Sequence, residues 1–224
     1  MCVRSLLVRS LAAAGVLSAL SSANASIFYS QNFESGTNLP EWSSNQNYST
    51  ANTFSRFLGR YTNSGVTLSL PQPARPNNDA PGPGGSTQLL LEFHLYIIDS
   101  WDGSETTYGP DHFGIRVGSS LLFDETFANQ HTFQTYDHDP NVGRAHLGFD
   151  ERWMDSIYYM ALPFDTASPT ISLQFFAYGL HGAVADESWG IDNVRLSVVP
   201  VPAPGAAGLG LIAGAAAFRR RRRI

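Results

Sequence analysis

TQLLLEFHLYIID, Thr87 to Asp99, is the stretch on which the fold turns. Leu89, Leu91, Phe93, Leu95 and Ile97 recur at a period of two, while Glu92, His94 and Tyr96 alternate onto the opposite side. That alternation belongs to a strand with one buried face, because a helix would repeat its apolar positions every three or four residues. PTISLQFFAYGL, Pro169 to Leu180, repeats the pattern by setting Ile171, Leu173 and Phe175 against Ser172, Gln174 and Tyr178. Each strand has one apolar face, and each needs another sheet to cover it.

Working outward, Gly, Pro, Asn and Ser punctuate the chain every 8 to 15 residues, and no part of the body holds a 3.6-residue period. Shorter strands are predicted at Ile27–Glu34, Arg56–Thr62, Val66–Leu70, Phe113–Val117, Ser120–Phe127, Ser156–Pro163 and Trp189–Val199. About nine antiparallel strands with turn-rich links predict an all-β, two-sheet sandwich. A jelly roll is favoured over an immunoglobulin type because the strands are long and there is no Cys–Trp–Cys pattern. Two loops stand out: Pro71–Gly85, too rich in Pro and Gly to pair, and the polar Asn129–Asp155, which mixes His with Asp.

The 224 residues suffice for one sizeable core. The formal charge of −5 averages unlike segments. Between Ser26 and Pro200 lie seven arginines, no lysine and all nineteen carboxylates, a net charge of −12. A body so acidic is unsuited to neutralising phosphates, which argues against nucleic acid as a partner. Cations or neutral ligands suit it better.

Both ends differ from the body. Arg4 and Arg9 precede an apolar run, Leu11–Leu20, too short to span a bilayer, and SSANAS supplies an Ala-x-Ala site. These parts predict a signal peptide over residues 1–25, cut after Ala25 by signal peptidase. The single cysteine, Cys2, leaves with it, so the mature body relies on packing, and on any bound cations, without disulfides. At the other end Val199, Pro200, Pro202 and Pro204 lead into a Gly- and Ala-rich apolar run, Gly205–Phe218, and then five arginines, Arg219, Arg220, Arg221, Arg222 and Arg223. Fourteen residues make about 21 Å of helix, short of a hydrocarbon core of about 30 Å, and the arginines would stay on the cytoplasmic side.

That order of proline motif, short apolar helix and arginine cluster resembles the PEP-CTERM sorting signal. The resemblance implies an exosortase-type membrane enzyme as processing partner and bacteria that secrete exopolysaccharide. Where that family carries Glu between its prolines, this chain has Val201 or Ala203. A permanent C-terminal anchor is the alternative reading of the same segment. The opening QNFESGTNLPEW and the closing DESWGIDNVRLSVV resemble carbohydrate-binding and concanavalin-like jelly rolls, in which the first strand lies beside the last. The resemblance implies a structural Ca²⁺ with Glu34 and Asp192 as carboxylate ligands, its shell completed by backbone carbonyls and by Glu187 or Asp186. The other reading is that both carboxylates accept backbone hydrogen bonds at strand ends.

Asp99, Asp102, Glu105 and Asp111 fall within thirteen positions, interleaved with Gly103 and Gly109, which let a loop fold back on itself. They make a second candidate calcium site, with Asp99, Asp102 and Asp111 as ligands. The spacing of an EF-hand loop is missing, and a solvated hairpin over Trp101 is the alternative. His131, Asp137, His138, Asp139 and His146 have the chemistry of Zn²⁺ ligands, but a polar loop also accumulates these residues without a metal. The body has no G-x-S-x-G, no thiol nucleophile, and no E-x-D-x-x-E pattern of a jelly-roll hydrolase. Trp42 and Trp153, in polar surroundings, are predicted to be exposed and able to stack on sugar rings. Trp101 and Trp189 are predicted to anchor loops against the sandwich.

Together these observations predict a signal peptide (1–25), a β-sandwich (26–198) and a PEP-CTERM-like signal (199–224), with a helix at each end of the sandwich. The leading expectation is a non-enzymatic, exported cell-envelope protein with a structural or adhesive task, associated with exopolysaccharide. A lectin-like carbohydrate-binding module is the alternative, and a polysaccharide-processing enzyme the third.

Overall fold

The computed structural model describes residues 25–35, 38–51, 53–74, 86–130 and 133–199. The predicted signal peptide up to Asn24, most of the Pro-rich loop, His131, and the predicted sorting signal from Pro200 onward lie outside the described residues. The helices predicted at both ends therefore fall outside them too. Among the described residues, no helix is long and apolar enough to cross a membrane.

Among the described residues eleven strands follow in order: β1 (Ser26–Gln31), β2 (Tyr48–Ser49), β3 (Phe57–Tyr61), β4 (Gly65–Pro71), β5 (Thr87–Asp99), β6 (His112–Val117), β7 (Ser120–Thr126), β8 (Val142–Ala145), β9 (Asp155–Thr166), β10 (Thr170–Tyr178) and β11 (Glu187–Val198). They form two antiparallel sheets. The larger runs β2-β3-β11-β5-β9-β8, with β1 also on β11, and the smaller runs β4-β10-β6-β7. The nine predicted strands all form, and the two unpredicted ones, β2 and β8, are short edge strands.

Alternation explains the packing. Leu89, Leu91, Phe93, Leu95 and Ile97 point inward from β5, where Phe113 and Ile115 of β6 and Ile171, Leu173 and Phe175 of β10 meet them from the other sheet. Each such side chain contributes about 1.5–3 kcal/mol by leaving water. The outer face of β5 is polar at Glu92 and His94, but Tyr96 and Ile98 are buried there under Phe54, Phe57 and Leu147. This second apolar cluster caps the end of the large sheet at which β5 leaves it.

β11 lies at the centre of that sheet. Along one side it pairs with β5, from Glu187↔Asp99 to Val198↔Leu89. Along the other it takes β3 at Trp189–Ile191 and β1 at Val194–Val198. The opening strand therefore lies beside the last one, as expected, although β1 ends at Gln31, before Phe33 and Glu34.

Candidate functional site

At the end of the sandwich where β5 exits and β6 and β11 begin, three carboxylates converge. Asp102 follows β5, Asp111 immediately precedes β6, and Glu187 opens β11. One oxygen from each lies within 4.8 Å of the other two. All three are buried, at 8%, 0% and 1% exposure respectively.

The loop between β5 and β6 is folded to produce this convergence. Ser100 donates from its backbone N–H and its hydroxyl to the Asp186 carbonyl, each at about 2.8–2.9 Å. Trp101 turns beneath the loop, fully buried, and its indole N–H donates to the Ser188 carbonyl at 2.9 Å. Gly103 adopts φ +69°, a conformation that favours glycine, and a Cβ there would lie 2.1 Å from the Phe133 carbonyl oxygen. The Asp111 N–H donates to the Gly103 carbonyl at 2.8 Å, and Asp111 Oδ2 accepts from the Asp102 N–H, closing the loop on itself. The other Asp111 oxygen, Oδ1, is buried without a hydrogen-bond partner. Glu187 accepts from the His181 backbone N–H.

Burial drives the electrostatics. It lifts Glu187 to about 8 and Asp111 to about 7, and the neighbouring carboxylates of Asp102 and Asp186 add to both rises. The charges acting most strongly on these two groups are thus negative. Acidic side chains enclosed together retain their protons or acquire a cation, because a lone buried carboxylate is costly.

A pocket of about 380 Å³ opens over the cluster. Asp102, Glu187 and Ser100 form its polar base, with Asp186 and Gln130 beside them and Trp153, Tyr108 and His181 around it. Tyr108 is 57% exposed and meets the His181 ring edge-on at 5.8 Å. Trp153 is part-buried. Its carbonyl contacts His146 Nδ1 at 2.8 Å.

The other sequence-derived candidates go elsewhere. Asp99 does not join Asp102 and Asp111: its Oδ2 binds Arg60 and its Oδ1 accepts from the Asp150 N–H. Asp192 uses both oxygens within the chain. Oδ2 accepts from Tyr96, Ser55 and the Asn193 amide, and Oδ1 from the Asn193 N–H. Glu34 is exposed, beyond the end of β1, whereas Asp192 is buried in the middle of β11. Glu105 folds back onto the Thr107 and Tyr108 N–H groups. Trp42, expected at the surface, is 4% exposed, because Tyr29 accepts its indole N–H at 2.8 Å and the Phe175 ring stacks on it at 5.9 Å. Asp137 and His138 are exposed and 3.5 Å apart. Asp139 lines a separate surface recess with them. Among the described residues only Asp102, Asp111 and Glu187 form a group of three metal-type ligands.

Fold and site together define a β-sandwich with an acidic, aromatic-edged pocket at one end. No family model matches the chain. No curated protein matches it either. Among solved structures it is similar to dimeric latent PorU from Porphyromonas gingivalis (12% identity, TM-score 0.39), covering 78% of this chain but 12% of that one. It is also similar to the C-terminal CBM6 of LamC, a marine laminarinase from Zobellia galactanivorans (12% identity, TM-score 0.37, 75% and 98% covered). A third likeness is to a carbohydrate-binding module of Cellvibrio mixtus lichenase 5A in complex with cellotriose (9% identity, TM-score 0.38, 78% and 99% covered).

Proposed function

We propose that this chain is a lectin-like carbohydrate-binding module of the bacterial cell envelope, with its site in the pocket at the β5–β11 end. The observation that carries the reading is the placing of part-buried Trp153 and exposed Tyr108 at a pocket with a carboxylate and hydroxyl base. An aromatic face takes the C–H side of a sugar ring, and carboxylate and amide oxygens accept its hydroxyl hydrogens. The pocket's volume falls in the range typical of small-ligand sites, about 300–1,000 Å³.

Binding is favoured over hydrolysis because Asp111 and Glu187 are almost wholly enclosed. Hydrolysis needs two carboxyl groups on either side of the glycosidic bond, as acid and base or nucleophile, and Asp111 does not line the pocket. In this proposal a jelly-roll-type sandwich is exported through its signal peptide and sorted by the PEP-CTERM-like tail, with an exosortase-type enzyme as processing partner. Exopolysaccharide is its natural ligand, which gives it an adhesive role.

A glycan array probed with the purified protein tests the site. Saturable binding is expected, weakened at least about tenfold, or about 1.4 kcal/mol, by Trp153→Ala and unchanged by Tyr159→Ala, a change at an exposed ring on β9. Absence of binding to every neutral and acidic glycan, or equal binding by the Trp153 variant, overturns it. The mass of the protein from its native host tests both processing steps.

A further inference from the structure

We propose that Asp102, Asp111 and Glu187 bind one hard divalent cation of the Ca²⁺ class, which fastens the β5–β6 loop to the start of β11. The three ligating oxygens lie within 4.8 Å of one another. Ca²⁺–oxygen distances of about 2.3–2.6 Å place opposite oxygens of one shell about 5 Å apart, so a single ion reaches all three. The donor set is oxygen only, without imidazole or thiolate, which favours Ca²⁺ over Zn²⁺ or Cu²⁺.

A second observation is independent of the clustering. Asp111 is fully buried, Oδ2 is occupied by the Asp102 N–H, and Oδ1 meets no donor. An orphaned buried acceptor is normally eliminated in a native fold, or it faces an ion or water. No arginine or histidine is among the strongest charges acting on Asp111 or Glu187, whereas Asp99, three residues before Asp102, has Arg60.

Water entering from the pocket can complete a shell of six to eight oxygens, and Asp186 stands beside the base as a further acceptor. An ion here would join positions that lie far apart in sequence and would hold still the loop that carries Tyr108. This proposal rests on the carboxylates themselves and goes beyond the carbohydrate reading, so either can fail alone.

The test uses the purified protein, stripped with EDTA and dialysed, then titrated with CaCl2 by calorimetry and followed by thermal melting. One ion per chain is expected. The melting temperature should rise by about 5–10 °C when free Ca²⁺ reaches about 100 times Kd. Asp111→Asn should weaken binding at least about tenfold, with Glu187→Gln as the second variant and Asp124→Asn, on β7, as the unaffected control. Tb³⁺ luminescence excited through tryptophan should appear in the wild type and be displaced by Ca²⁺. Since the wild-type titration requires no variant to fold, absence of both the 1:1 heat and the melting shift overturns the proposal. So does undiminished binding by a folded Asp111→Asn protein. Glycan binding that survives chelation, together with no Ca²⁺ heat, would sink this proposal and leave the module reading standing; Ca²⁺ binding without any glycan would do the reverse.

Discussion

Gly103 shows how much one residue can fix. With φ +69° and a carbonyl oxygen 2.1 Å from where a Cβ would lie, Gly103→Ala combines backbone strain with a steric clash. It is expected to cost at least about 2 kcal/mol in urea unfolding and to loosen the carboxylate cluster with it. Asp99 makes a different prediction. Burial raises its carboxyl from 3.8 to about 6 in spite of Arg60. A carboxyl with a higher pKa in the fold holds its proton more tightly there, so its stabilising contribution is fully present below 3.8 and is withdrawn as pH rises through about 6. Burial also raises Asp155 and Asp192, with the same sign. In chelator-containing buffer the melting temperature should therefore increase on acidification across this window, and Asp99→Asn should reduce the slope. At this scale the sequence revealed acid-rich segments but not their partners. Trp42 lies among polar neighbours in sequence, yet Tyr29 and Phe175 bury it, and nothing local records contacts made across thirteen or more than a hundred residues.

Among the elements, legibility followed alternation. β5 and β10 could be read directly because their apolar residues recur at a period of two and face the opposite sheet. β2 has two residues and β8 four mostly exposed ones, so the neighbouring strand, more than their own pattern, calls them into the sheet. The site was half legible for the same reason. Asp102 and Asp111 lie close in sequence, but Glu187 joins them only through the register that pairs it with Asp99 across β11 and β5. The pocket position of Tyr108 likewise depends on how the loop folds. The outer end of β5 yields a further prediction. Phe54 belongs to no strand, yet it is 5% exposed and packs on Tyr96 at 4.6 Å and Phe149 at 5.2 Å. Phe54→Ala should cost about 3–5 kcal/mol in chemical denaturation although it lies outside the sandwich interior. Trp42→Ala should cost a similar amount through the main core and leave Ca²⁺ affinity unchanged.

On the scale of the whole molecule, the stretch between Ser26 and Pro200 is strongly acidic. A net charge of −12 over that stretch repels polyanions at long range and favours cations and neutral polymers. An acidic glycan would then bind more weakly at low ionic strength than in salt, and a neutral one about equally in both, a contrast that microscale titration at two salt concentrations can read.

The route of β11 has a geometric result. Ser26 pairs with Val198, so the two extremities of the sandwich emerge side by side at one corner, while Glu187 starts the same strand at the opposite end. Twelve residues of strand put roughly 35–40 Å between them. An anchor of the kind proposed for the C-terminal segment would hold the body by its heel and present the carboxylate-lined mouth outward, at full reach from the point of attachment.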